Sequence, residues 1–460
     1  MHVPLPLVPF ETYMLTDDRV SHPMTFTIRL KFSGSFDRLA FQKAVPEALT
    51  RHPLLSAHIA ESPGGKLAWT WTSEPDPLVN VAEDSVASRF PDSERIDLTI
   101  DCGIRIWVRR GVNRVDIRVQ FHHACCDGVG AYRFIEDLLC LYHNGVVPVE
   151  QHVALRPLDA ALLNQRTRFG LSWLKLLMRI PLELWGVTVG FAMFFLRRPV
   201  EIHTETPSGT ESCDDQTLLD LPAKTLSATQ LRRMKEAAKQ DRATLNDLLV
   251  GDLCLAVHEW NLLKGASKRW KPIRVMIPMS LRGEGDERMP AANVVAMVFV
   301  DRHPTWFPNA RWLLKSIAWE LSFIKLLRLN LAFIRGTSLA SRLPGGLRFL
   351  TRESRCYATC VLSNMGRVLS EVPLAYQNGQ LTAGAMVLER VESAPPIRPH
   401  TNVALSVVSY AGRMTLILNY DRHAFTRQAA EELFAVILRQ VEIVVGESID
   451  ETAEELAGAM

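Results

Sequence analysis

The stretch VDIRVQFHHACCDGVGAYRFIEDLL, Val115 to Leu139, constrains the fold of this chain more than any other segment. It opens with the strict apolar-polar alternation of a half-buried strand and closes with apolar residues at helical intervals. The helix is expected to end at Asn144-Gly145, a helix-stop pair. An earlier segment repeats the order: MTFTIRLKFSG alternates and stops at Gly34, and SFDRLAFQKAVPEALTRHPLLSAHI then runs at helical spacing, with Ser35 or Asp37 placed to cap. Strands and helices in this mixed order predict an α/β layer structure.

At 460 residues the chain exceeds one ordinary core, which predicts two domains or two halves of one pseudo-symmetric domain. A near-balanced net charge of +2 lacks the clustered basic excess of a nucleic-acid-binding surface, so small uncharged or amphipathic partners are expected and nucleic acid is not. The eight cysteines do not form a disulfide framework, and neither Cys125-Cys126 nor the Cys356/Cys360 pair has zinc-site spacing. A reducing cytoplasm fits. The N-terminus, MHVPLPLVPFETYML, has neither the basic region nor the long apolar run of a secretory signal and reads as mature structure.

Three sections follow along the chain: 1–165, an insert and linker over 166–216, and 217–460. Within the second, IPLELWGVTVGFAMFFL, Ile180 to Leu196, carries Glu183 as its only charge and is bracketed by Arg179, Arg197 and Arg198. Such a helix would be about 25 Å long, the lower limit for a membrane span. The polar run Glu201 to Gln216 reads as a linker. The third section opens with two capped helices, SATQLRRMKEAAKQ and TLNDLLVGDLCLAVHEWNLLKG. It continues with strand-like IRVMIPMSL and NVVAMVFVD around a polar loop, Gly283 to Arg288, and carries a hairpin signal at Ala411-Gly412. The acidic tail from Glu447 onward is expected to fray. No sequence repeat between the halves is visible.

Histidines at the end of a strand serve as core filler, as metal ligands or in proton transfer. Alternation puts Val115, Ile117, Val119, Phe121 and His123 on one face and Asp116, Arg118, Gln120 and His122 on the other. His123 therefore continues the apolar face, where desolvation keeps an imidazole neutral near pH 7 and fit to act as a base. Because His122 and His123 point oppositely, they do not readily close on one ion with Asp127, and no metal is expected. Nothing orients or activates Cys125 or Cys126 as a nucleophile. Gly128 and Gly130 allow a turn into the helix, and Asp127, if buried, needs a cationic partner.

HHACCDG, His122 to Gly128, resembles the His-His-x-x-x-Asp-Gly motif of the superfamily that holds chloramphenicol acetyltransferase, peptide-synthetase condensation domains, polyketide-associated acyltransferases and wax ester synthase/diacylglycerol acyltransferases. RHPLLSAHI, Arg51 to Ile59, is similar to an early segment of that family. TLNDLLVGDLCLAV and IPMSLRGEGDERMPAANVVAMVFV are similar to its wax-synthase-like branch, and LSNMG, Leu362 to Gly366, resembles its Ser-Asn-x-Gly segment.

The resemblance implies two chloramphenicol-acetyltransferase-like mixed-sheet halves forming a V-shaped pseudo-dimer, with a tunnel between them. It implies His123 as general base, His122, Asp127 and Gly128 as support, Arg282 as the ion-pair partner of Asp127, and Ser363 and Asn364 as hydrogen-bonding groups near the tunnel. It further implies an O-acyltransferase without bound cofactor, whose co-substrate is acyl-CoA or an acyl-carrier-protein thioester and whose acceptor is a lipid-like alcohol or an amine. A free-standing condensation enzyme served by a separate carrier protein is the alternative reading, and a non-catalytic lipid-binding or docking module is the second.

This arrangement bears on the insert. A single crossing by Ile180 to Leu196 would put His123 and Arg282 on opposite sides of a bilayer, and the other apolar segment, Trp312 to Ile334, carries Lys315, Glu320, Lys325 and Arg328. A span is therefore not expected. What remains is burial, or docking at the inner membrane surface by a cytoplasmic protein.

Overall fold

The alternating runs pair into two large mixed sheets in the computed structural model, which describes residues 4–62, 64–71, 76–205, 217–218, 220–266 and 270–446. The linker expected over Glu201 to Gln216 falls largely outside the described residues, as does the tail from Glu447.

The first sheet has seven strands, with Thr25–Gly34 and Arg114–His122 antiparallel at its centre. Ile104–Arg110 and Leu78–Glu83 extend it on one side. Its other side is built from the second half of the sequence: Met386–Ala394 pairs with Thr25–Gly34, followed by Gln380–Ala383 and Tyr376–Gln377. Six strands form the second sheet, in the order Val295–Arg302, Ile273–Ser280, Cys360–Arg367, Val403–Tyr410, Arg413–Tyr420 and Ala223–Leu226. Cys360–Arg367 is parallel to both of its neighbours and the remaining pairs are antiparallel.

Each sheet has its own apolar core. Helices Arg38–Arg51 and Gly128–Val146 contribute to the first core, and Leu245–Leu263, Ala310–Leu326 and Arg427–Val445 to the second. Capping follows the residue types: Asp37, Ser227, Thr244 and Thr426 each accept a backbone N–H from the first turn of their helix. The hairpin at Ala411-Gly412 turns with both residues at positive φ, as a two-residue turn between right-twisted strands requires.

Two local expectations change, and a third segment is subdivided. The helix expected to stop at Asn144-Gly145 runs on to Val146 and ends ahead of Pro148, because Gly145 lies against Ala40 and the Asn144 amide is engaged with Val153. The helical spacing after Ser35 holds only to Arg51; Pro53–Leu55 is a single tight turn and His58–Glu61 a strand. The apolar segment Trp312 to Ile334 is divided at Arg328, whose φ is 48°, into Ala310–Leu326 and Leu331–Ala340.

Several parts of the second half enter the first core, among them the loop Leu281–Val294 and the chain from Val368 through Leu388, with Leu331 and Leu347 beside them. They bind the lobes to each other, and the loop closes the candidate site.

Candidate active site

Strand Arg114–His122 keeps its alternation until it reaches the interlobe region. Val115, Ile117, Val119 and Phe121 are buried on the helix side, while Asp116 pairs with Arg29 and Arg118 with Asp220 on the other. Gln120 and His122 are buried as well, so both faces are covered where the strand ends.

The two histidines part there. His122 Nδ1 accepts the Ala124 amide at 3.0 Å. In a neutral ring the proton must then sit on Nε2, which stands 3.6 Å from Asp18 Oδ2. His122 is thus a buried brace of the turn. His123 follows the face of Phe121: its ring lies 5.1 Å from that of Phe26, which stacks at 5.3 Å on Phe121. Its amide donates to the Met24 carbonyl at 2.7 Å. Asn293, on the loop from the second lobe, donates from Nδ2 to the His123 carbonyl at 2.6 Å and stands 3.2 Å from His123 Nδ1. Desolvation holds the His123 imidazole below its ordinary pKa despite its own carbonyl and Asp127.

Asp127 is the N-cap of helix Gly128–Val146 and accepts the Gly130 amide at 2.9 Å through Oδ1. Its Oδ2 accepts Arg282 Nη1 at 2.6 Å and the Val294 amide at 2.8 Å. Arg282 Nη2 donates to the Ala292 carbonyl at 2.8 Å. Burial pushes the Asp127 carboxyl upward, but the charge and hydrogen bond of Arg282 and the two amides outweigh it, leaving the group below the usual carboxylate range. Residues far apart in sequence thus meet in a buried ion pair spanning the lobes.

The glycines work through space rather than backbone conformation. A Cβ on Gly130 would stand 3.0 Å from the Ala292 nitrogen and 3.1 Å from its carbonyl oxygen, and one on Gly128 would meet the end of the Met365 side chain. The cysteines are explained in the same way. Cys125 Sγ occupies the room left by Gly103, and Cys126 Cβ lies beside Gly130. Burial raises both thiols well above their ordinary pKa, contrary to what a nucleophile needs.

Ser363 and Asn364 lie on Cys360–Arg367 beside a register shift against Val403–Tyr410. The Asn364 amide reaches Asn246 at 3.4 Å and its Oδ1 accepts the Gly366 amide. Met365, the next residue, is the one that touches the start of the Asp127-capped helix.

Sequence reasoning missed two members of this constellation. Asn293 is one, a buried side chain whose Oδ1 has no partner. The other is His52: its Nδ1 accepts the Ala291 amide at 2.9 Å, and its Nε2 stands 3.1 Å from Asp137 Oδ2. Burial lowers the pKa of His52, and the two contacts fix the neutral tautomer with Nε2 as donor. The only signals available were Asn293 within a segment of family likeness and His52 within Arg-His-Pro.

A cavity of about 790 Å³ opens between the lobes, lined by Thr25 and Phe26 from the first and by Asn419 and Asp421 from the second. His123 does not line it, but the Phe26 ring in its wall lies 5.1 Å from that of His123. Among the described residues no cluster of acidic, histidine or cysteine side chains has metal-ligand geometry, and no helix is long and apolar enough to cross a membrane.

No family model matches the chain, and no curated protein matches its sequence. Solved structures do match. The first condensation domain of the calcium-dependent antibiotic synthetase, in complex with a substrate analogue, superposes with a TM-score of 0.69 at 13% identity, covering 98% of this chain and 99% of that one. The starter condensation domain of rhizomide synthetase, a double mutant in complex with C8-CoA and Leu-SNAC, gives 0.65 at 10% identity over 98% and 96%. The X-domain from teicoplanin biosynthesis gives 0.61 at 16% identity over 97% and 96%. Overlays that span both chains almost end to end at such low identity establish shared architecture: this chain has the two-lobed, chloramphenicol-acetyltransferase-like fold of the condensation domains.

Proposed function

We propose that the chain is an acyltransferase in which His123 acts as general base, moving an acyl group from a thioester to the hydroxyl of a lipid-like alcohol. The observation that carries this reading is the arrangement of His123: a ring packed against Phe26, a depressed pKa, and a second-lobe asparagine clamping its carbonyl. Base action takes the tautomer with the proton on Nδ1 and the lone pair on Nε2. There it takes the hydroxyl proton as the oxygen attacks the thioester carbonyl, and the tetrahedral oxyanion collapses to expel the thiolate, which is protonated by the imidazolium. A base so placed contributes roughly 100- to 10,000-fold. Asp127 and Arg282 are positioning residues, holding the helix start and the loop that carries Asn293 in one geometry. Ser363 and Asn364 are proposed to bond to the reacting groups.

The donor is proposed to be acyl-CoA, with no bound cofactor. A condensation domain of the same fold has been solved with C8-CoA and Leu-SNAC bound, which supports CoA thioesters as donors and also favours a second reading, amide formation with a carrier-delivered acyl group and an amine acceptor.

One experiment separates these readings. Thiol release from acyl-CoA is followed with purified protein across long-chain alcohols, diacylglycerol and amino-acid thioesters. Alcohol-dependent release that His123→Ala abolishes is expected. Equal rates in wild type and His123→Ala throughout the panel would reject the catalytic assignment.

A further inference from the structure

One face of the helical insert is left without a partner in the fold. Glu183 is buried and bonded to Arg335 at 2.9 Å, with Arg179 at 3.6 Å. A Cβ on Gly186 would stand 3.0 Å from that of Ala332. One side of helix Ile180–Leu196 is therefore fastened to Leu331–Ala340. The opposite side shows Trp185, Val189, Ala192 and Leu196 at spacings of three and four, with Leu184 beside Trp185 and without a charge among them. Leu184 is 44%, Trp185 54% and Leu196 82% exposed, and Trp173 on the preceding short helix is 67% exposed. A helix side that faced only water would carry charges here, and a continuous apolar face of this kind marks a docking surface.

The rim indicates what docks. Along the insert Arg168, Lys175, Arg197 and Arg198 are exposed, while the only acid between residues 166 and 200, Glu183, is buried. The adjoining segment is joined to the insert by the Phe195–Phe349 ring stack at 5.2 Å and by Arg179 donating to the Leu327 carbonyl. It adds exposed Lys325, Arg342, Arg348 and Arg352, with Leu326 and Leu343 exposed beside them. Between Lys325 and Arg355 the one acid is Glu353, which is paired with Arg19. Tryptophan and leucine inside a fringe of arginine and lysine is the composition of a surface that lies in a lipid interface and is drawn to anionic headgroups.

We propose that this face seats the protein on an anionic phospholipid bilayer. The apolar stripe enters the acyl boundary, and the basic fringe lies on the headgroups. On its inner side the same helix supplies Phe194 to a small apolar cavity shared with Tyr13, Met276, Phe299 and Phe333, so the seat lies over apolar interior. The inference goes beyond acyl transfer and stands whether or not the acceptor is a lipid.

The test is flotation of the full chain with vesicles of phosphatidylcholine alone and with phosphatidylglycerol added. Wild type is expected to float with the anionic vesicles and to be released as salt rises. Leu184→Glu with Trp185→Glu should lower the bound fraction at least tenfold. Arg197→Glu with Arg198→Glu should do so on the anionic vesicles by roughly fivefold per residue. Thermal melting checks folding, and Leu184→Ser with Trp185→Ser replaces the glutamate pair if that variant unfolds. Equal flotation of wild type and the stripe variants, or no preference for anionic vesicles, would overturn the proposal. So would light scattering that showed a dimer dissociated by the stripe variants, since the face would then belong to a second copy.

Discussion

Each lobe contains the same strand-turn-helix unit, and only one of them carries the candidate site. Arg114–His122 leads into Gly128–Val146 in the first lobe, and Arg413–Tyr420 into Arg427–Val445 in the second. Both helices are 19 residues long, and each begins the same distance after the strand's opening arginine. Position by position, His122-His123 stands opposite Asp421-Arg422, Asp127 opposite Thr426, and Gly130 opposite Ala429. The caps show the difference. Thr426 accepts one amide from its own helix; Asp127 accepts one from its helix and then two groups from the other lobe. The unit folds with any good cap, and the first lobe turns that cap into an anchor for a loop. Folding and site-building thus rest on different atoms of the same side chain, Oδ1 for the helix and Oδ2 for the interface.

The largest expected effect tests whether the first-lobe unit is a site at all. His123→Ala should lower turnover on the best donor and acceptor pair by at least about 100-fold, with thermal melting showing that the variant is still folded at the assay temperature. Activity should also persist below the ordinary histidine range as pH falls. A base with a depressed pKa remains neutral until pH drops through that lower value, so the acid limb of kcat/KM lies below about 6.5.

Next in size is the pair of caps. Asp127→Ala removes the cap and strands a buried arginine, at a cost of about 3–5 kcal/mol in urea unfolding, whereas Thr426→Ala loses only a cap, about 1 kcal/mol. Asp127→Asn retains a capping oxygen but loses the charge and should fall between them. Because the folded-state pKa of Asp127 is depressed, its contribution is complete above about pH 4 and is lost as pH falls through the folded value. Equal losses from the two alanine variants would erase the distinction between cap and anchor.

What could be read in advance follows the range of the interaction. Caps, strand alternation and the orientation of His123 are local, and residues a few positions apart determine them. Asp127 was legible as a charge in need of a partner because burial of an unpaired carboxylate is costly wherever the partner lies. The duplicated unit escaped notice because the two copies share spacing and capping chemistry rather than residues. The insertion of Met386–Ala394 beside Thr25–Gly34 and the convergence of His52, Asp137 and Ala291 are long-range, and no pattern within either segment specifies its partner. Asn293 looks like any asparagine in a loop until the second lobe carries it to the His123 carbonyl.

A smaller effect should come from the glycines, where the second lobe supplies its own control in Ala429. Gly130→Ala places a methyl 3.0 Å from the backbone nitrogen of Ala292, so the loop bearing Asn293 and Val294 must retreat. A cost of about 1–3 kcal/mol is expected, together with a fall in kcat. Gly128→Ala meets only the tip of Met365, a flexible side chain that can swing aside, and should be nearly silent in both measurements.

The smallest effect concerns the cysteines, whose second-lobe counterparts are Ala424 and Phe425. If Cys125 and Cys126 are packing residues, each position should tolerate alanine chemically and register only the lost volume. For Cys125→Ala the missing sulfur leaves a void above Gly103, with an expected loss of about 1 kcal/mol. Cys126→Ala should cost no more, since the Cβ that lies beside Gly130 is retained. Turnover should remain within about twofold of wild type in both, because a thiol raised well above its ordinary pKa is almost wholly protonated at neutral pH and has no thiolate to offer. Intact-mass spectrometry during turnover gives an independent reading. An acyl adduct on either cysteine would show that the first-lobe turn carries a covalent step, and that its difference from the second lobe is greater than a base and an anchor.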